Sequence, residues 1–412
     1  MNDNPRIALA GMPAYGHLNP SLPIVRELTS RGVGITYYTG GEFREPVEAA
    51  GCEFREYPRD VFGSATIAEA TRLGGPVRVA GEVLKAAEEF VPFLLAEFGA
   101  ERPDAVVFDS NALWGRMAAA KLGLPMISLM TTVMIGTKEM PGMTFREWSR
   151  MLREIIPNVT GPIATRRRVQ RRFGKETYPS GGLPMRGDLT IFPVPEWMQP
   201  PSPSIDATCH FVGPTISAGG QRLDPELARF LDGPGPLVLV SLGTLHTGTE
   251  AFFRTCFEAL GDLPIRALLA TGSRSDPALL GEPPENILLR PSVPQLEVLR
   301  RTAAFVTHGG MNSALEGLAC GVPLVVVPQQ AEQLLIGKAI ADRGAATVLR
   351  QSLSNRPVPP EELRAAVRRA LTDATHRTAA RHLGATLSEG GGAPTAADHI
   401  QNFLKTTALN DN

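Results

Sequence analysis

One short run of residues has the types and spacing to hold a charged ligand: Thr307-His308-Gly309-Gly310-Met311-Asn312-Ser313-Ala314-Leu315-Glu316. An apolar strand ends at Thr307, two glycines permit a tight turn, and Asn312-Ser313 open a helix. Backbone N–H groups at a helix start lack intrahelical partners and carry partial positive charge, so such a turn cradles a diphosphate. His308, Asn312 and Ser313 add side-chain donors to the same oxygens. Taken alone, the run also describes an ordinary strand–turn–helix with Asn312 as its N-cap. A second candidate is His17, read as lying in the loop after the first strand. A neutral imidazole is suited to removing a hydroxyl proton near neutral pH. A lone loop histidine is more often a surface residue, and Asp109 is what singles this one out. It ends another strand at the same sheet edge, where a carboxylate can orient the ring and steady the imidazolium.

The elements that must position these groups alternate. Arg6–Gly11 reads as a short buried strand. Asn19-Pro20 supplies an N-cap followed by Pro at the first helical position, and Leu22, Val25 and Leu28 then recur at helical spacing. Strands follow at Ile35–Thr39, Cys52–Tyr57, Ala105–Asp109 and Met126–Met130, with helices at Glu45–Ala50 and Trp114–Leu122. The second half repeats the logic. Strands are predicted at Leu237–Leu242, Ile265–Ala270, Ala303–Thr307 and Leu324–Val327, and helices at Ala251–Leu260, Asn312–Ala319 and Glu332–Arg343. Such alternation predicts α/β architecture, with parallel sheets covered by helices on both faces and ligands at the carboxyl ends of the strands. Pro193–Pro203 and the Gly/Pro-rich 213–235 stretch separate the halves. The boundaries predicted are an N-terminal domain over 1–213, a linker over 214–235, a C-terminal domain over 236–393 and a final helical segment over 394–412.

Composition narrows the partners. The 412 residues exceed what one core usually holds. A net charge of −1 and a pI near 6.7 imply no global attraction to nucleic acid or an anionic membrane. The four cysteines, at 52, 209, 256 and 320, form no CxxC pair, so neither a zinc knuckle nor a dithiol redox site is expected. No signal peptide is expected from the polar Met1–Arg6, and no apolar stretch approaches the ~20 residues of a membrane span; a cytoplasmic protein is the expectation. GxGxxG after the first strand, GxxxxGK[ST], HExxH and GxSxG are all absent, which argues against dinucleotide oxidoreductases, P-loop NTPases, zinc proteases and serine hydrolases. No metal site is predicted.

The run from His308 closely resembles the signature of the family 1, UDP-dependent glycosyltransferases, H-C/G-G-x-N-S-x-x-E. The likeness continues through Gly321-Val322-Pro323 and Pro328-Gln329-Gln330-Ala331-Glu332-Gln333, and begins upstream at Val293-Pro294-Gln295. Gly16-His17-Leu18-Asn19-Pro20, Val240-Ser241-Leu242-Gly243-Thr244 and Phe211-Val212-Gly213-Pro214 extend it to nearly the full chain, most nearly in the bacterial macrolide-type branch. The resemblance implies the GT-B fold: two Rossmann-like domains facing a central cleft, acceptor in the first and nucleotide-sugar in the second, with a last helix (Thr395–Lys405) crossing back. It implies His17 and Asp109 as catalytic dyad and His308 at the α-phosphate. Gly310, Asn312 and Ser313 would serve the β-phosphate, Glu316 the ribose, Thr244 the phosphates, and Glu332 and Gln333 the sugar hydroxyls. The implied reaction is metal-independent, inverting O-transfer of a hexose from a nucleotide sugar, UDP-glucose first and a TDP-sugar second, to a small apolar acceptor such as a macrolide, polyketide or polyphenol. The donor is a substrate, and no permanently bound cofactor is expected.

One departure stands out. Where the family carries an aromatic residue to stack on the base, this chain has Ser292, leaving backbone at Val293 and Gln295 to grip it. Trp114, Phe145 and Trp148 are candidates to line an acceptor pocket and equally candidates for core. Arg166, Arg167, Arg168, Arg171 and Arg172 read first as a solvated helix face. Two other functions fit the same architecture: a nucleotide-sugar epimerase, and a non-catalytic sugar-nucleotide-binding auxiliary protein.

Overall fold

The computed structural model describes residues 4–59, 61–135, 142–178, 183–217, 219–243, 250–272 and 279–410. By internal packing the chain divides into two units. One comprises Met1–Glu139, Met151–Ser217 and Gly390–Asn412; the other comprises Met140–Arg150 and Ala218–Glu389.

The first unit is built on β1 (Arg6–Ala10), α1 (Tyr15–Ser30), β2 (Gly34–Thr39), α2 (Arg44–Glu48), β3 (Glu53–Glu56), α3 (Ser64–Glu101), β4 (Ala105–Asp109), α4 (Leu113–Leu122) and β5 (Met126–Leu129). Then come α5 (Phe145–Asn158), whose opening residues fall in the second unit, α6 (Thr160–Phe173), β6 (Leu189–Phe192) and β7 (Cys209–Phe211). Its seven strands are all parallel, in the order β3-β2-β1-β4-β5-β6-β7. The chain reverses its direction of travel across this sheet between β1 and β4, and their carboxyl ends therefore flank a crevice where α/β sheets take ligands. β4 is buried at every position, as a strand covered on both faces should be.

The second unit runs α7 (Pro225–Leu231), β8 (Leu237–Ser241), α8 (Glu250–Leu260), β9 (Arg266–Ala270), β10 (Ile287–Arg290), α9 (Gln295–Leu299), β11 (Ala304–Thr307), α10 (Met311–Ala319), β12 (Leu324–Val326), α11 (Ala331–Ala341), β13 (Ala346–Val348), α12 (Pro360–Thr372) and α13 (Ala374–Thr386). Its six parallel strands are ordered β10-β9-β8-β11-β12-β13, with the corresponding reversal between β8 and β11. The helix α7 falls inside the segment read as a linker. Asp224 caps it by accepting from the N–H groups of Glu226 and Leu227. The last helix, α14 (Gly392–Asn410), belongs to the first unit, where Ala396, Ala397, Ile400 and Leu404 join the core packed on α1.

Two parts of the first unit differ from the sequence reading. The first helix starts at Tyr15, four residues before Asn19: the N–H groups of His17 and Leu18 both donate to the Ala14 carbonyl, at 3.0 and 2.9 Å. Pro20 and Pro23 lie inside the helix and return no N–H to the preceding turn. Thr215 also donates to the Pro20 carbonyl, at 2.6 Å. The long helix α3, 38 residues, went unread because Gly75, Pro76 and Pro92 interrupt its pattern. The arginines of α6 are partly structural. Arg168 pairs with Glu88 of α3, Arg172 donates to the Glu88 carbonyl at 3.0 Å, and Arg166 lies over the Tyr178 ring.

Candidate active site

In the first unit the chemistry gathers at the carboxyl ends of β1, β4 and β5. His17 sits in the first turn of α1 and not in a loop, because the helix begins early. Its ring Nδ1 lies 2.9 and 3.1 Å from the two oxygens of Asp109, the last residue of β4. Asp109 is 4% exposed, and its Oδ1 also accepts the Asn111 N–H at 2.8 Å. The other oxygen, Oδ2, accepts from the hydroxyl of Thr131 at 2.8 Å, and that hydroxyl is also 2.8 Å from His17 Nδ1. Thr131 lies two residues past the end of β5 and was missed in the sequence, although β4 and β5 are neighbours and their ends share one edge.

These distances fix where the proton sits. A carboxylate only accepts, so with the Thr131 proton directed to Asp109 Oδ2, the single proton of Nδ1 is directed to the carboxylate, with the Thr131 oxygen beside it. Nδ1 therefore carries the ring proton, and Nε2 is the basic nitrogen. His17 keeps a side-chain exposure of 20% against 5% for Asp109, so the imidazole reaches solvent while its partner is buried.

The second unit gathers a different set of residues at the ends of β8 and β11. Gly310 is the N-cap of α10 and no side chain caps the helix, so Met311, Asn312 and Ser313 present the first-turn N–H groups. The ring of His308 is held between two glycines. A Cβ on Gly243 would stand 2.7 Å from its Cε1, and one on Gly310 would stand 2.8 Å from the same atom and closer still to Nε2. Both positions must lack a side chain for the imidazole to occupy that place. Gly309, at φ +81°, needs the left-handed region, and a Cβ there would meet Val326 at 2.7 Å.

Gln295, at the start of α9, donates to Glu316 Oε2 at 2.7 Å and lies 3.3 Å from the Ser313 hydroxyl. Burial raises the Glu316 carboxyl above the ordinary range, and the Gln295 bond partly offsets this. Ser292 and Val293 lead into α9, with Ser292 exposed. Glu332 and Gln333 open α11. Gln333 is buried, and its Oε1 caps the helix, accepting from the N–H groups of Gln329 (2.7 Å) and Gln330 (3.2 Å). Only its amide –NH2 is left to offer a ligand. Thr244 lies outside the described residues.

The three aromatic candidates separate. Trp114 has no exposed surface. Its indole N–H donates to Tyr57 at 2.8 Å, and its ring packs edge-on to Tyr57, Phe62 and Phe90, which makes it a core residue. Phe145 is 87% exposed and Trp148 half-buried, both on the opening turn of α5. That turn is fixed by buried Glu147, which accepts from Thr144 N–H and from Arg350 at 2.9 and 2.7 Å. Among the described residues no cluster of His, Cys, Asp or Glu is arranged to hold a metal ion. Among them, no helix is long and apolar enough to cross a membrane.

Comparison with known proteins agrees with this geometry. Residues 255–401 match the family described as erythromycin biosynthesis protein CIII-like, C-terminal domain. The chain is 31% identical over 406 residues to an uncharacterized UDP-glucosyltransferase, YojK, of Bacillus subtilis (strain 168), covering 97% of each. It is 30% identical over 414 residues to the demethyllactenocin mycarosyltransferase of Streptomyces fradiae, covering 98% of this chain and 87% of that one. A crystal structure of the glycotransferase of kitacinnamycin superposes with a TM-score of 0.79 at 29% identity, covering 98% of this chain and 100% of that one. The chain belongs to the family 1 glycosyltransferases of GT-B fold, in the branch that uses nucleotide sugars to glycosylate macrolides and other natural products.

Proposed function

We propose that this protein is an inverting O-glycosyltransferase that moves a hexose, glucose from UDP-glucose, to a hydroxyl of a small apolar natural product such as a macrolide, polyketide or polyphenol. The observation that carries the reading is the close contact of His17 Nδ1 with the buried Asp109 carboxylate. With Nδ1 held by Asp109 at 2.9 Å, the ring has a fixed direction and Nε2 serves as the base, an arrangement a purely binding protein does not need. The acceptor hydroxyl gives its proton to Nε2, its oxygen attacks the anomeric carbon from the face opposite the diphosphate, and the C–O bond to the diphosphate breaks. Asp109 steadies the imidazolium that results. The departing charge is met by His308 and by the N–H groups of Met311, Asn312 and Ser313.

The names of relatives support the donor and acceptor classes: one is called a UDP-glucosyltransferase and another a mycarosyltransferase of demethyllactenocin. In this reading Glu316, oriented by Gln295, accepts from the ribose hydroxyls. Thr244 serves the phosphates, Glu332 and the Gln333 amide serve the sugar, and Val293 and Gln295 meet the base beside Ser292. Phe145 and Trp148 remain the candidates to touch an apolar acceptor. The test is a mass-spectrometric screen of UDP- and TDP-sugars against macrolide, polyketide and flavonoid acceptors. Acceptor mass increased by one hexose supports the reading. Conversion of the donor sugar to an isomer, with every acceptor unchanged, would favour an epimerase.

A further inference from the structure

We infer that Thr131 is a positioning residue of the transfer reaction: its hydroxyl, donating to Asp109 and accepting from His17, fixes the tautomer and direction of the imidazole. The inference rests on the reading of His17 as the base. The geometry is a closed triangle, with Thr131 Oγ1 at 2.8 Å from both Asp109 Oδ2 and His17 Nδ1, and Nδ1 at 2.9 Å from Oδ2. A hydroxyl has one proton. Spent on the carboxylate, it leaves only lone pairs facing Nδ1, so a ring without a proton on Nδ1 sets a lone pair against Asp109 and can be answered only by taking the Thr131 proton away from the carboxylate.

The triangle also braces the carboxylate. Asn111 N–H holds Oδ1 and Thr131 holds Oδ2, so both oxygens are pinned from outside the ring, and the plane of the carboxylate is set before His17 engages it. Thr131 is 8% exposed and comes from a third strand end, which removes the freedom a two-residue dyad would keep. The other titratable side chains that feel Asp109 are the phenols of Tyr37 and Tyr57, both pushed upward by burial and therefore neutral in the working range. Neither competes with Thr131 for the carboxylate: Tyr37 bonds the Ser21 hydroxyl, and Tyr57 donates to the Gly11 carbonyl.

The prediction is a kcat effect without a KM effect. Thr131→Val, which keeps shape and removes the hydroxyl, should lower kcat for UDP-glucose and a flavonoid acceptor about tenfold or more, with both KM values unchanged, because misdirection of a base costs transition-state and not ground-state binding. Thr131→Ser should restore kcat. In a His17→Ala background Thr131→Val should leave the residual rate where it is, since nothing remains to be positioned. Nitrogen-15 spectra of the wild-type imidazole, assigned by the signal lost in His17→Ala, should show the Nδ1–H tautomer, and this reading survives even if Thr131→Val folds poorly. Wild-type kcat in a folded Thr131→Val, or an Nε2–H wild-type ring, would overturn the inference while leaving a general base at His17 untouched. Full activity in His17→Ala would overturn both.

Discussion

Replacing Gly310 with alanine isolates the role of the His308 ring. The Gly310 backbone sits at φ −60° and ψ 142°, which alanine adopts freely, so the substitution brings no backbone strain and little change at the N-cap beyond a few tenths of a kcal/mol. Its methyl group, however, would stand 2.8 Å from His308 Cε1 and run into Nε2, where ordinary contact begins at 3.4 Å. The ring must retreat by roughly 1 Å from its place. The backbone N–H groups of α10 stay where they are. The loss is then that of one hydrogen bond to a charged phosphate, about 1.5–3 kcal/mol, or roughly a 10- to 100-fold weaker affinity for UDP. Titration calorimetry with UDP reads this directly, with His308→Ala as the reference and the double variant as the control for coupling. The double variant should be no worse than His308→Ala alone. A folded Gly310→Ala that binds UDP as tightly as wild type would refute the placement of His308 on the phosphate.

Three further outcomes follow from the same geometry. Asp109→Asn should cost more than loss of a charge. Asn111 N–H keeps the amide oxygen at the Oδ1 position, so the –NH2 faces Nδ1 and drives the ring proton to Nε2; kcat should fall by about 10²-fold or more without a change in melting temperature, and an unchanged kcat would remove Asp109 from the mechanism. Activity should survive EDTA, because a helix start and His308 meet the leaving-group charge; restoration of lost activity by Mg²⁺ or Mn²⁺ would contradict this phosphate site. Ser292→Trp should tighten UDP and TDP alike, by up to about tenfold, since the exposed position has room for an indole and base stacking is worth ~1–3 kcal/mol. A folded variant with no gain places the base elsewhere.

The parts legible in the sequence are those with local causes. Strand and helix alternation comes from runs of apolar residues with glycine at their ends, and it marks nine of the thirteen strands, most to within a residue or two, as at Ala105–Asp109; the short β6, β7, β10 and β13 escape it. The glycine turn opening α10 was readable because its residues are consecutive. What escaped depends on packing over distance. Thr131 meets His17 across 114 positions of chain, through a sheet order that no local pattern encodes. The start of α1 escaped because Asn19-Pro20 has the appearance of a helix opening, while the actual opening at Ala14 carries no capping side chain. Trp114 looked equally like pocket and core until Tyr57, far away in sequence, supplied its hydrogen-bond partner. Gln333 shows the limit of a signature: the motif marks the residue, but only the structure reveals that its oxygen is occupied in capping α11.

The central claim is that His17 Nε2 removes a proton from an acceptor hydroxyl while a nucleotide-sugar's diphosphate leaves from the opposite face. The most direct measurement is the proton NMR spectrum of the product formed from UDP-glucose and an acceptor identified in the screen, run in parallel for the wild type and His17→Ala. UDP-glucose carries an α linkage, so direct displacement predicts a β-glucoside, with the large anomeric coupling of two axial protons. It also predicts product falling by about 10²- to 10⁴-fold in His17→Ala, with UDP affinity nearly intact. An α-glucoside, or undiminished β-product from His17→Ala, would contradict the account.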